Sequence, residues 1–168
     1  MDQIIIKKAS ISDWKIYREI RLDALKTNPE SFGRSYEEEA WRNASEWKKG
    51  FKDKNRIKLV ALDGEKAIGV VVNSFEPLSN LAHVANIFSV YVKPEYRGKG
   101  ISTQLMRRAI GIIKSQKRIK KVKLSVVTKQ LAAINLYKRF GFKIVGKLIR
   151  ELKVKNRYYD EYVMELIL

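Results

Sequence analysis

At 168 residues with 45% hydrophobic content, the chain can bury one core of ordinary size and is too short for two, so a single domain over residues 1–168 is expected. It contains no cysteine and one histidine, His83, which excludes disulfides, thiol nucleophiles and thiolate metal sites and makes no metal the expectation. A formal charge of +17 predicts attraction to polyanions, without choosing among nucleic acid, the ribosome, an anionic membrane surface and a phosphate-rich cofactor.

The opening Met1-Asp2-Gln3-Ile4-Ile5-Ile6-Lys7 lacks the basic leader and cleavage site of a signal peptide. No apolar run nears the ~20 residues that span a bilayer, so a cytoplasmic protein with no membrane partner is expected. A short strand over Ile4 to Lys8 leads to a helix that Ser12 or Asp13 can cap. Its apolar positions Trp14, Ile16, Tyr17, Ile20, Leu22 and Leu25 follow helical spacing, and it ends before Asn28-Pro29. Ser35 and Glu38 have the spacing of a capping box and predict a second, highly charged helix through Trp41 and Trp47 to about Lys52. The period then changes. Arg56 to Leu62 and Ala67 to Phe75 are rich in β-branched residues, with the hairpin signal Asp63-Gly64 between them.

A third strand is expected over about Ala82 to Val92, then a helix from Gly100 to about Gln116, a strand from Lys121 to Thr128 and a helix from Leu131 to Phe140, which Gly141 stops. The basic run Lys114 to Lys123 joins the Gly100–Gln116 helix to the Lys121–Thr128 strand and reads as solvated lysines in preference to a nucleic-acid patch. Two final strands, Lys143 to Glu151 and Tyr158 to Ile167, flank the basic turn Lys153-Val154-Lys155-Asn156-Arg157. Hairpins combined with one strand-helix-strand crossover, Ala82 to Thr128, give an α+β class with a mixed sheet. The crossover is where a ligand is expected.

The segment Val90-Tyr91-Val92-Lys93-Pro94-Glu95-Tyr96-Arg97-Gly98-Lys99-Gly100-Ile101-Ser102-Thr103 passes from strand through a turn into a helix. Gly98 and Gly100 let backbone approach a ligand, and the first helical N–H groups, lacking intrahelical partners, face outward at the positive end of the helix dipole. That arrangement suits an anion, with Arg97, Lys99, Arg107 and Arg108 as nearby cations. A dinucleotide fingerprint would need glycine where Thr103 stands, and the P-loop pattern is absent.

A second segment, Ala132-Ala133-Ile134-Asn135-Leu136-Tyr137-Lys138-Arg139-Phe140-Gly141-Phe142, completes a pattern that resembles the GNAT N-acetyltransferase superfamily. Arg97, Gly100 and Ser102 match its acetyl-CoA signature, with Ser102 standing where the family has Gly or Ala. Ala133 through Phe142 resemble its second signature, and Tyr158 to Met164 look like its closing strand. The resemblance implies the GNAT-like acyl-CoA N-acyltransferase fold: a mixed, mostly antiparallel sheet of about seven strands with about four helices, splayed at the central parallel pair. It further implies acetyl-CoA as cosubstrate and direct acetyl transfer to a primary amine, on a small molecule, a polyamine or a protein. Backbone groups of Val90, Tyr91 and Val92 would pair with the pantetheine arm, and N–H groups from Gly98, Lys99, Gly100, Ile101, Ser102 and Thr103 would hold the pyrophosphate beside Arg97.

The resemblance places Tyr137 where a tyrosine protonates or hydrogen-bonds the leaving CoA thiolate. Reference pKa values of ~10 for Tyr and ~8.5 for a thiol make full proton transfer uphill by ~2 kcal/mol, which favours the hydrogen bond. A base for the acceptor amine is not announced. The strand position where relatives carry a glutamate holds Ser125, which cannot serve, and among His83, Asn86 and Glu76 the histidine has the convenient pKa. Gln130 and Asn135 stand where relatives differ. Acceptor choice is expected from Asn28 to Trp47, with Phe32, Arg34 and Tyr36 as candidates, and from the basic turn before the last strand. The acidic run around Glu37 to Glu39 could receive a cationic amine or simply face water. Two rival readings stay open: a nucleic-acid or ribosome-binding module on the same scaffold, and a CoA-binding member without catalysis. The oligomeric state is open too, a homodimer included.

Overall fold

The computed structural model describes residues 4–168; the leader reading rests in part on Met1–Gln3, which lie outside them. Seven strands, β1 (Ile5–Lys8), β2 (Arg56–Asp63), β3 (Lys66–Phe75), β4 (Val84–Val92), β5 (Lys121–Val127), β6 (Lys143–Val154) and β7 (Arg157–Ile167), form one sheet in the order β1-β2-β3-β4-β5-β7-β6. Every neighbouring pair is antiparallel except β4 and β5. The parallel pair follows from the crossover through α4 (Ile101–Ser115), since a helix must carry the chain back before the next strand can run the same way. No helix among the described residues is long and apolar enough to cross a membrane.

Helices cover both faces of the sheet. On one, α4 and α5 (Leu131–Arg139) bury Leu105, Met106, Ile113, Ile134 and Leu136 against Leu59, Ile87 and Val126. On the other, α1 (Trp14–Thr27) and α3 (Ala44–Lys49) bury Ile20, Leu25 and Trp47 against Val60, Val70 and Val72. Alternation along β3 explains the division: Val70 and Val72 face α1, while Ile68 and Val71 join the α4 side, the exchange of step marking an irregularity in the ladder.

Several expected boundaries move, each for a local reason. The long second helix is two helices, α2 (Tyr36–Ala40) and α3. The Ser35/Glu38 box does open the first, with Glu38 N–H donating to Ser35 Oγ at 3.2 Å and Ser35 N–H to Glu38 Oε2 at 2.7 Å. A second box then restarts the chain: Glu46 N–H donates to Asn43 Oδ1 at 3.0 Å and Asn43 N–H to Glu46 Oε2 at 2.8 Å. Trp41, at the break, is left 88% exposed. Two capping boxes eight residues apart stabilise two short helices better than one continuous helix, which would bury neither set of caps. The described residues thus hold five α-helices, one more than the four expected.

The α1 start differs as well. The reciprocal box is Ser10 with Asp13, around a 3-10 turn Ile11–Asp13, and Asp13 makes no side-chain cap to α1. The Lys7 ammonium at 2.8 Å and the Ser10 donors hold the Asp13 carboxyl below its usual range, against the opposing effect of burial. At the other end of the chain, β6 and β7 run on to Val154 and from Arg157, so the turn shrinks to Lys155-Asn156, with Lys155 in the left-handed region at φ 53°.

Candidate active site

The parallel pair separates after three registers, Val84↔Lys121, Ala85↔Val122 and Asn86↔Lys123. From Ile87 to Val92 the β5 side of β4 has no strand partner, and this unpaired edge runs for roughly 20 Å at ~3.3 Å per residue. A bulge in β4 coincides with the opening. Val70 faces Tyr91 and Val72 faces Phe88, so Ser89 and Val90 together oppose Val71.

Ser89 sits at φ 56°, a conformation that costs a non-glycine residue about 1–2 kcal/mol and must be held by its surroundings. Arg21 of α1 holds it, donating from Nη1 to Ser89 Oγ at 3.0 Å. The same guanidinium donates to both carboxylate oxygens of Glu39 on α2, at 3.1 and 3.3 Å, and stacks on Phe32 at 4.8 Å. Both charged residues are buried, at 8% and 4% exposure. One side chain thus ties the bulge, the first two helices and the intervening loop together.

At the C-terminal end of β4 the chain turns into α4 through Gly98 and Gly100, at φ 76° and 77°. Both need the left-handed region, and no atom lies within 4 Å of where a side chain would begin at either, so the space beside the turn is open for a ligand. The first α4 donor to find a helical acceptor is Gln104 N–H, on Gly100 O at 3.0 Å. The N–H groups of Ile101, Ser102 and Thr103 therefore have no helical partner. Ile101, 1% exposed, anchors the helix start in the core while Ser102 and Thr103 remain half-buried at its mouth. This open row of donors at a helix N-terminus fits a pyrophosphate.

Arg97 is not simply a free cation. Its Nε donates to Val92 O at 3.0 Å and its Nη2 to Asn28 Oδ1 at 2.9 Å, so it braces the turn against β4 and the end of α1. The Val92 carbonyl is thereby already engaged. Tyr91 turns its ring into the α1 core, its hydroxyl donating to Asp23 Oδ2 at 2.7 Å; burial, then the neighbouring carboxylate, push that phenol up to about 12. Tyr91 can offer the slot only backbone atoms. Lys99 lies 5.1 Å from the Tyr96 ring, and Tyr96 in turn donates to Asp63 at 2.9 Å.

Tyr137 reaches the slot from α5. It is 6% exposed, packs edge-on to Phe142 at 6.2 Å, and lines a cleft of about 530 Å³ with Val90, Ser125 and Gln130. Burial pushes its phenol well above the ordinary value, which keeps the proton on oxygen at neutral pH and makes Tyr137 a hydrogen-bond donor. The cleft continues on the α1 face, where Phe32 and Arg34 line it. Tyr36 does not line it. Gln130 donates through Nε2 to Ser31 Oγ, tethering the Asn28–Ser35 loop to α5.

His83 is not brought to the cleft. It is exposed in the turn before β4, and its carbonyl accepts from Lys120 N–H at 2.8 Å and Lys121 N–H at 3.2 Å, at the closed end of the parallel pair. Six residues separate it from Ser89, roughly 20 Å of strand. Asn86 and Glu76 bond to each other at 2.6 Å near that same end.

Sequence reasoning missed the Arg21–Glu39–Ser89 network and two carboxylates lining the cleft, Glu151 and Glu161. An arginine between Ile20 and Leu22, inside an apolar stripe, was the available signal for the first. Glu161 reaches the cleft because it lies opposite Val127 on β5 and Leu148 on β6, sharing their face. Glu151 enters through a bulge: Leu148 pairs with Glu161 and Leu152 with Tyr159, so three β6 residues oppose Asp160 alone. Arg150, at φ 53°, donates its N–H to Asp160 Oδ1 at 2.9 Å within that bulge. Among the described residues no cluster of three or more His, Cys, Asp or Glu side chains could hold a metal ion.

Comparison with known proteins agrees with this fold. The family model described as Acetyltransferase (GNAT) family matches residues 16–142. The chain is 26% identical over 166 residues to the L-amino acid N-acetyltransferase AaaT of Escherichia coli K12, covering 98% of each. It is 28% identical over 114 residues to spermidine N(1)-acetyltransferase of Vibrio cholerae, covering 68% of this chain and 65% of that one. The fold matches yncA of Salmonella typhimurium, solved with its cofactor acetyl-CoA, at a TM-score of 0.83 and 18% identity, over 99% of this chain and 95% of that one.

Proposed function

The chain belongs to the Acetyltransferase (GNAT) family, and on that premise we propose that it moves an acetyl group from acetyl-CoA to the amine of a small, amino-acid-like acceptor by direct attack. The observation that carries the acceptor reading is the polarity of the cleft. Arg34 and half-buried Arg42 line it from the helical side, and Glu151 and Glu161 from the strand side. Arg21 and Glu39 satisfy each other, Glu46 caps Asn43, Arg56 pairs with Asp53 and Lys58 bonds to Gly50 O, which leaves Arg42, Glu151, Glu161 and an Arg34 held only loosely, 3.9 Å from Glu39, to meet a ligand. A zwitterion matches both walls, its carboxylate toward the arginines and its ammonium toward the glutamates. The net charge of +17 acts in the same direction, since at long range it repels polycations and draws in polyanionic CoA. The amino-acid relative, similar over the full length, supports this reading more broadly than the spermidine relative.

In this reading the turn from Gly98 to Thr103 holds the pyrophosphate, and the β4 edge around Val90 receives the pantetheine amides as a strand would. The acceptor nitrogen, once neutral, attacks the thioester carbonyl; the C–N bond forms and the C–S bond breaks. Tyr137 donates a hydrogen bond to the sulfur as it takes the electron pair. The chain has no cysteine thiol to take the acetyl group as a thioester, and the reading is direct transfer within one ternary complex.

The test is thiol release from acetyl-CoA against amino acids, polyamines, aminoglycosides and short peptides. Highest kcat/KM is expected with an amino acid. A polyamine as the best acceptor would overturn the zwitterion reading, and no thiol release with any amine would overturn acetyl transfer itself.

A further inference from the structure

We propose that Glu161 accepts the proton from the acceptor's ammonium group, from β7, and so generates the amine nucleophile; this rests on the acetyl-transfer reading above. A simple primary amine of pKa ~10.4 is almost wholly protonated at pH 7, and freeing its lone pair costs ~4.6 kcal/mol, so a base near the thioester has real leverage. The question is which group stands there.

Most carboxylates near the cleft are committed elsewhere. Glu39 accepts two hydrogen bonds from Arg21, Glu46 caps the Asn43 turn, Glu76 is bonded to Asn86, and Asp160 is held by Lys147 and Arg150 N–H. His83 stands outside the cleft. Glu151 is exposed. Glu161 is half-buried, lines the cleft with Tyr137, and has no hydrogen bond or ion pair among the described residues.

Register then places it beside the slot. Ser125 on β5, at the slot's edge, faces Val163, and Val127 faces Glu161. Glu161 is therefore the diagonal neighbour of Ser125 on the same face, with backbones about 7–8 Å apart, within reach of a long side chain acting directly or through one water. Ser125 supplies no base. The adjacent strand supplies one in its place.

The electrostatic setting suits the task. Burial, and then the Glu151 carboxylate, raise the Glu161 carboxyl above its ordinary value, which strengthens it as a base. The other charged and titratable groups lining the cleft are Glu151 from β6, Arg56 and Lys58 from β2, the mutually paired Arg21 and Glu39 from α1 and α2, Arg34 and Arg42 from either side of α2, Glu46 from α3, and Tyr17 and Tyr137 from α1 and α5. The step balances: one ammonium proton passes to Glu161, the nitrogen bonds to the acetyl carbon as the C–S pair departs, and the nitrogen's second proton ends on the CoA sulfur.

The experiment compares pH profiles of kcat/KM for the full chain and two variants, with acetyl-CoA affinity measured by calorimetry in each. Glu161→Gln should lose about 100-fold or more at pH 7 while binding acetyl-CoA as before, and the loss should shrink as pH approaches the acceptor's own pKa. Glu151→Gln should move the acidic limb to lower pH, since removing a neighbouring negative charge makes Glu161 easier to ionise. Wild-type turnover with a Glu161→Gln profile of the same shape and height would overturn this inference and leave acetyl transfer standing. An activity loss matched by an equal loss of acetyl-CoA affinity would also overturn it. A wild-type chain inactive with every amine would instead refute the function on which the inference rests.

Discussion

Tyr137 is a buried phenol whose proton is retained by desolvation, edge-packed on Phe142 and lining the cleft. Its hydroxyl is thus separable from its packing. Tyr137→Phe keeps the ring and should lower kcat about 10- to 100-fold, equivalent to ~1.4–2.7 kcal/mol, with acetyl-CoA affinity and unfolding midpoint near those of the parent. Stopped thiol-release assays and calorimetry on the same preparations check this; undiminished turnover would leave Tyr137 a packing residue. At this scale the sequence was most informative where chemistry is local. Gly98 and Gly100 announce themselves through a short spacing, because a left-handed turn before a helix needs only its neighbours, and Tyr137 is picked out by the family resemblance of the segment around it. Glu161 was not legible, because its position depends on which β5 and β6 residues oppose it, and register is a property of the assembled sheet. His83 misled for the complementary reason: a suitable residue type at the wrong end of a strand.

At the scale of elements, the opening between β4 and β5 depends on a bulge held by a helix. Arg21 donates to Ser89 and Glu39 across the sheet-helix boundary, and both charges are out of water. Removing one partner strands the other. Arg21→Ala should destabilise the fold by about 3–5 kcal/mol in denaturant unfolding, while the double change Arg21→Met, Glu39→Leu should recover most of that. The double variant should nevertheless bind acetyl-CoA more weakly, because Ser89 is no longer held at φ 56°. Equal stability of the single and double variants would show that the pair is not coupled. Strands and the two crossover helices could be read from period and caps alone. The split of the second helix could not, although its cause was present in Asn43 and Glu46: the Ser35 box accounts for a helix start, and only competition between two starts explains a break.

Across the whole molecule, the sheet order puts the one parallel pair at its centre, helices on both faces, and the cleft where the pair parts. The Gly98–Thr103 turn and Tyr137 approach that opening from the α4 side, and Phe32 and Arg34 from the α1 side, so in the function proposed above donor and acceptor meet through the sheet. On that proposal both substrates are held at once. Initial-rate kinetics with acetyl-CoA and the preferred amine varied together test this most directly. Transfer in a ternary complex predicts double-reciprocal lines that intersect and no acetylated protein by mass spectrometry when acetyl-CoA is supplied alone. Parallel lines, with an acetyl group found on the enzyme and then passed to the amine, would contradict it.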